Sequence, residues 1–140
     1  MIRSIIESHL SHRDEYIFGF ANLTGFLPRK FSHYHYGISI GKKLDDTITD
    51  NLKKGPTLEY YFHYNQVNRE LSEMSAMIHA DLKRNNIHSF PVIPTISIGS
   101  EHYKRYLKTL TYDISHKLVA TRAGLGWIGK TDLLISFKFG

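Results

Sequence analysis

The densest chemistry-bearing stretch of the chain is Ala123-Gly124-Leu125-Gly126-Trp127-Ile128-Gly129-Lys130-Thr131, which holds three glycines and the only Trp. Read as strings, these residues satisfy two phosphate-binding patterns. Gly124, Gly129, Lys130 and Thr131 match G-x-x-x-x-G-K-[ST], and Gly124, Gly126 and Gly129 match G-x-G-x-x-G. Both mechanisms need a strand before the loop and a helix after it, so that a helix N-terminus and a row of backbone N–H groups face the phosphates. Here the order reads the other way, with helical periodicity before Gly124 and a strand-like run, Leu133-Leu134-Ile135-Ser136-Phe137, after Thr131. The dinucleotide version also wants an acidic residue about 20 positions on, and the sequence reaches only Gly140. P-loop-type nucleotide binding therefore stands as a rival reading. Gly124 alone reads as a helix C-cap. A glycine-dense loop beside a Trp also suits a large, flat or phosphate-bearing ligand, because backbone can approach it closely and the indole offers a flat apolar wall.

Other residues carry chemistry by type. His116 offers a hydrogen bond or a metal ligand, with a capping or surface role as the alternative. Lys117 and Lys130 flank the glycine segment and suit phosphate or amide groups, or solvent. Tyr61, His63 and Tyr64 lie at a helix start, where Tyr61 or His63 would serve as proton donor or substrate contact, and packing is the competing role. His33 and His35 flank Tyr34 at i,i+2 spacing, which on a strand points both imidazoles to one face. No third ligand accompanies them, so no metal site is assigned.

Elements must position these groups. Ile2, Ile5, Ile6 and Leu10 predict a short amphipathic helix. Residues 16–21 and 34–40 read as strands, separated by a loop with Gly25 and Pro28. Leu44, Ile48 and Leu52 predict a short helix closed by Gly55-Pro56. Thr57 is a candidate N-cap for a long helix whose stripe runs Tyr61, Tyr64, Val67, Leu71, Met74, Ile78, Leu82, with its end near Asn85-Asn86. Residues 90–94 carry two prolines and read as extended. Residues 113–123 read as a helix and residues 133–137 as a strand. Helices and strands do not strictly alternate, which predicts an α+β fold in one domain over residues 1–140.

Composition narrows the classes. The chain has 140 residues, 18 Lys plus Arg against 13 Asp plus Glu, nine His and no Cys. Without thiols this polypeptide holds no disulfide, no Cys-ligated zinc and no Cys-held iron–sulfur cluster. The net charge of +5 suits anionic partners, but the basic residues come as scattered pairs without a nucleic-acid module signature. No apolar run reaches the ~18 residues of a membrane span. Glu7 and His9 interrupt residues 1–10 as a signal peptide, so cytoplasmic location is the default expectation.

The run from Ser115-His116-Lys117 through AGLGWIGK (residues 123–130) to Leu133-Leu134-Ile135 resembles the signature of the epoxyqueuosine reductase family. Weaker similarity extends upstream to residues 19–23, residues 36–41, and Pro56-Thr57 through Tyr60-Tyr61, His63-Tyr64 and residues 68–71. The resemblance implies a nitroreductase-like α+β domain, with an antiparallel or mixed sheet packed by helices, that binds cobalamin as cobalamin-processing proteins do. It implies cofactor contact for His116, Lys117, Gly124, Gly126, Trp127, Gly129 and Lys130. In full-length members a ferredoxin-like domain with two iron–sulfur clusters follows, and electrons pass through the corrinoid to the epoxide of a modified tRNA base. This chain closes at Phe139-Gly140 without Cys. The expectation is therefore an N-terminal portion, a truncated frame or a stand-alone cofactor domain, without turnover of its own and dependent on a cluster-bearing domain or electron donor. The Asp-Tyr-His motif of the tRNA-modifying members meets Tyr61-Phe62-His63 here, whose first position is not acidic; Glu59 lies two residues away. A divergent relative with another substrate is the expectation that follows. A non-catalytic interaction module, a dimer included, is the remaining rival.

Overall fold

The computed structural model describes residues 1–10, 13–95 and 98–140. The fold is mixed α+β with two small antiparallel sheets and five helices among the described residues. In chain order these are α1 (Ile2–Leu10), β1 (Tyr16–Asn22), β2 (Tyr36–Lys42), α2 (Asp46–Asp50), α3 (Leu58–Arg84), α4 (Glu101–Thr109), α5 (His116–Arg122), β3 (Gly126–Ile128) and β4 (Leu134–Ser136). Short 3-10 turns occupy Arg29–Phe31 and Asn51–Lys54. No helix of the described residues is long and apolar enough to cross a membrane. The chain divides into two compact units, one of residues 1–16 and 41–91, the other of residues 17–40 and 92–140.

The first unit is helical. The 27-residue α3 begins where Thr57 Oγ1 accepts the Tyr60 N–H at 3.1 Å, satisfying a donor that the helix itself leaves unpaired. Its apolar stripe buries Val67, Met74, Ile78 and Leu82, and α1 packs Ile6 and Leu10 against it. The stripe predicted from sequence holds in its middle and end but not at its start. Tyr61 is 59% exposed and Tyr64 40%, so the buried stripe begins at Val67. The helix predicted over residues 44–52 is shorter, since Asp45 caps it through Thr47 and the chain tightens into a 3-10 turn after Asp50. Polar contacts also fasten this unit. His9 Nε2 meets Asp81 Oδ2 at 2.6 Å, and Lys42 pairs with Glu70 with its ammonium over the Tyr16 ring.

The second unit builds its core from Ala21, Leu23 and Val119, flanked by Leu27, Ile114 and Ala123. The helix predicted over residues 113–123 starts later. Ser115 Oγ accepts the Leu118 N–H at 3.3 Å as N-cap, and Asp113 is drawn into ion pairs with Lys30 (2.7 Å) and Arg105 (2.5 Å) outside the helix. Arg122 fastens the end of α5 to β1, its Nε donating to the Asn22 carbonyl at 2.8 Å while its guanidinium lies over the Phe26 ring. Helix α4 was not expected from the sequence. Ser100 caps it at Tyr103 N–H, and Glu101 follows in the first turn. None of its residues is fully buried, and the spacing of Tyr103, Tyr106, Leu107 and Leu110 at i, i+3, i+4, i+7 was the signal available for it.

Candidate functional site

The glycine segment forms a cap, a strand and a turn in succession. Gly124 ends α5 with φ +71°, and two hydrogen bonds seal the helix: Gly124 N–H to Thr121 O at 3.0 Å and Leu125 N–H to Ala120 O at 3.1 Å. This is the paired pattern of a Schellman cap, in which a left-handed glycine costs no Cβ clash. The C-cap expected at Gly124 is therefore formed.

From Gly126 the chain enters β3, which pairs antiparallel with β4 in the register Gly126↔Ser136, Trp127↔Ile135, Ile128↔Leu134. A Cβ at Gly126 would fall on the Ile135 carbonyl, so this glycine is required by the close approach of β4. A Cβ at Gly129 would come within 2.6 Å of Ile135 Cδ1. Both glycines are thus filled by the chain's own packing. Gly129 N–H then donates to Leu133 O at 2.8 Å, and Asp132 N–H to Gly129 O at 3.1 Å, leaving Lys130-Thr131-Asp132 as a hairpin loop. Three-residue hairpin loops commonly end on a residue with positive φ, and Asp132 takes that place at +60°.

The P-loop and dinucleotide patterns accordingly lack their context. A helix precedes Gly124, a strand follows Thr131, and Lys130 and Thr131 sit in a β-hairpin loop. The element that follows them is β4 and not a helix whose N-terminus would receive phosphate.

Strand alternation sorts the hairpin side chains. Trp127, Leu133, Ile135 and Phe137 share one face, while Ser136 on the opposite face is buried. Trp127 and Phe137 lie 5.2 Å apart between ring centroids. They remain 47% and 72% exposed, and Leu133 66%. Lys130 is exposed at the tip. Sequence reasoning named Trp127 and Lys130 but missed Leu133 and Phe137 as members of the same surface; the period-two spacing of Leu133, Ile135 and Phe137 was the available signal.

The other candidates are engaged elsewhere. His116 Nε2–H donates to the Ile93 carbonyl at 2.7 Å, tying the extended segment around Pro94 to the start of α5. Lys117 Nζ donates to Asp132 at both its carboxylate (2.7 Å) and its carbonyl (3.0 Å). His63, in the first unit, accepts the Asp45 N–H through Nε2 at 2.9 Å. Tyr61 is exposed, edge-on to Phe62 at 5.7 Å. His33 and His35 both precede β2, so strand alternation does not place them on one face; the His33 ring instead lies 4.2 Å from that of Tyr34. Among the described residues no three His, Asp or Glu side chains gather as a metal-holding group. A shallow depression of about 460 Å³ lies along α4, lined by Glu101, Lys104, Arg105, Leu107 and Lys108, and includes none of the glycine-segment residues.

Comparison with protein families, with curated proteins and with solved structures finds no match to this chain.

Proposed function

We propose that this chain is a corrinoid-binding domain of an epoxyqueuosine reductase-like iron–sulfur oxidoreductase, with a nitroreductase-like fold as in cobalamin-processing proteins. One observation carries the reading. The run from His116 to Ile135 that resembles the family signature is also one contiguous structural piece, α5, its glycine cap and the β3–β4 hairpin.

The residues present fit such a group. Trp127, Phe137 and Leu133 offer an exposed apolar surface, with the two rings tilted by 51°, for the edge or face of a large apolar ligand. Lys130, exposed beside it, is suited to a phosphate or amide carbonyl on the ligand's side arms. Gly124, Gly126 and Gly129 contribute by shaping the hairpin rather than by cradling the ligand, since Gly126 and Gly129 are packed against Ile135. His116, with Nε2 engaged at Ile93, holds the neighbouring segment in place. A bound corrinoid supplies cobalt-centred electron transfer; the chain's part is to bind it, orient it and exclude water from one side.

Electrons have to come from a cluster-bearing domain or a separate donor, because the chain has no Cys. The tRNA reaction of the resembled family is not carried over. Tyr61-Phe62-His63 lacks the acidic first position, and His63 is occupied by Asp45. A different reducible substrate in the cytoplasm is the consistent expectation.

The test is titration with hydroxocobalamin, followed by visible absorbance and by co-elution on gel filtration. Retention with a spectral shift is expected, and Trp127→Ala should weaken binding by about tenfold, the scale of one lost aromatic contact. Absence of co-elution from the wild-type chain, or binding indifferent to Trp127→Ala and Lys130→Ala, refutes the reading.

A further inference from the structure

The hairpin that carries Trp127 packs on α5, and one side chain of α5 also reaches across to its loop. Lys117 stands in the first turn of α5, and its ammonium reaches Asp132, the last residue of the loop, at the carboxylate (2.7 Å) and the carbonyl (3.0 Å) together. Asp132 holds a positive φ of +60°. Asp tolerates that conformation better than most side chains but pays a steric penalty that glycine does not. A hairpin loop of this length normally puts glycine there. Asp is therefore the less favourable choice for the backbone alone, and what it adds is a second acceptor for Lys117. Both acceptors on one residue fix the ammonium and the loop against each other, so the loop is anchored in position and in backbone conformation.

We infer that Lys117 and Asp132 form a positioning clasp that sets the Trp127–Phe137 face, with Lys117 holding the loop rather than a ligand. The clasp deepens the corrinoid reading and rests on it for what the face binds, but it exists without any ligand. Asp132 thereby becomes a positioning residue that no spacing argument singled out. The anchoring acts on Trp127 through the short β3–β4 ladder, extended by the Gly129 N–H to Leu133 O and Phe137 N–H to Leu125 O bonds; two strands alone have little rigidity of their own.

The chain's single Trp lies in that ladder, so the test reads the clasp directly. Fluorescence anisotropy of Trp127 is measured in the ligand-free full chain, for wild type, Lys117→Ala, Asp132→Ala, Asp132→Gly and Asp132→Asn. Hydroxocobalamin affinity is measured by absorbance in parallel. Lys117→Ala, Asp132→Ala and Asp132→Gly are expected to lower the anisotropy and to raise the hydroxocobalamin dissociation constant about two- to fivefold, the range of an exposed ion pair acting through the competent population. Asp132→Asn, which keeps an acceptor and tolerates positive φ, should recover most of both. Unchanged anisotropy in Lys117→Ala and Asp132→Ala overturns the clasp. So does weakened hydroxocobalamin binding in Lys117→Ala with none in Asp132→Ala, which makes Lys117 a ligand contact. If the wild-type chain binds no hydroxocobalamin while the anisotropy falls as expected, the clasp stands and the corrinoid reading fails.

Discussion

His63 Nε2 accepts the backbone N–H of Asp45 at 2.9 Å, across 18 residues of sequence. The contact ties the first turns of α3 to the N-cap of α2. It also assigns the ring: a nitrogen that accepts carries no proton, so the hydrogen of the neutral imidazole is on Nδ1. His63→Ala should cost about 0.5–1.5 kcal/mol, the net worth of one hydrogen bond. Hydrogen exchange at residues 45–50 should accelerate, and hydroxocobalamin binding should not change. Equal exchange in the two proteins would show the bond to be inconsequential.

Ile6 is the most completely buried side chain of α1, the helix that packs on α3 in the first unit's core. Ile6→Ala leaves a cavity that the long α3 cannot readily collapse to fill. A loss of about 2–5 kcal/mol is expected from urea unfolding. A loss below that range would mean that α1 is a loosely held element.

Gly124 and Gly126 are required for different reasons, and their substitutions should separate. Gly124→Ala meets open space but keeps a left-handed backbone, so the cost is about 1–2 kcal/mol. Gly126→Ala drives a methyl into the Ile135 carbonyl and must part the β3–β4 pairing. Thermal unfolding should rank Gly126→Ala as the more damaging, with a change in Trp127 emission that Gly124→Ala lacks.

Acid should destabilise both units through paired carboxylates. The His9 hydrogen bond, followed by Arg84, holds Asp81 below the usual carboxylate range, and the Lys30 hydrogen bond with Arg105 does the same for Asp113. A carboxyl whose pKa is lower in the folded state stabilises above its unfolded pKa of about 3.9 and loses that contribution as pH falls through the folded value. The urea midpoint should therefore drop below about pH 4, and Asp81→Asn with Asp113→Asn should flatten that drop. An acid limb unaltered by both substitutions would assign it to other groups.

Much of this was legible from local sequence. Thr57 and the spacing from Val67 to Leu82 announce α3 because a cap and a 3.6-residue stripe are local properties. Gly124 announces its cap for the same reason, since positive φ is a demand on one residue. Helix α4 was legible in the same way, with Tyr103, Tyr106 and Leu107 at i, i+3, i+4 behind the Ser100 cap, so its omission is a missed local signal and not a long-range effect. Residues 113–115 were assigned to α5 because their apolar spacing is helical, while the ion pairs that draw Asp113 outward come from Lys30 and Arg105, distant in sequence.

By itself, then, the sequence determined the mixed α+β character, the absence of thiol chemistry and the glycine segment as the place to look. Only the tertiary structure decided what that segment does. Whether Gly126 and Gly129 face a ligand or their own partner strand depends on where β4 lies, and it lies against them. Whether Lys117 is free or committed depends on a loop 15 residues away. Whether His63 is available depends on Asp45. Side-chain type and spacing specify what a residue is able to do; its occupancy is set by long-range neighbours, which a local pattern does not encode.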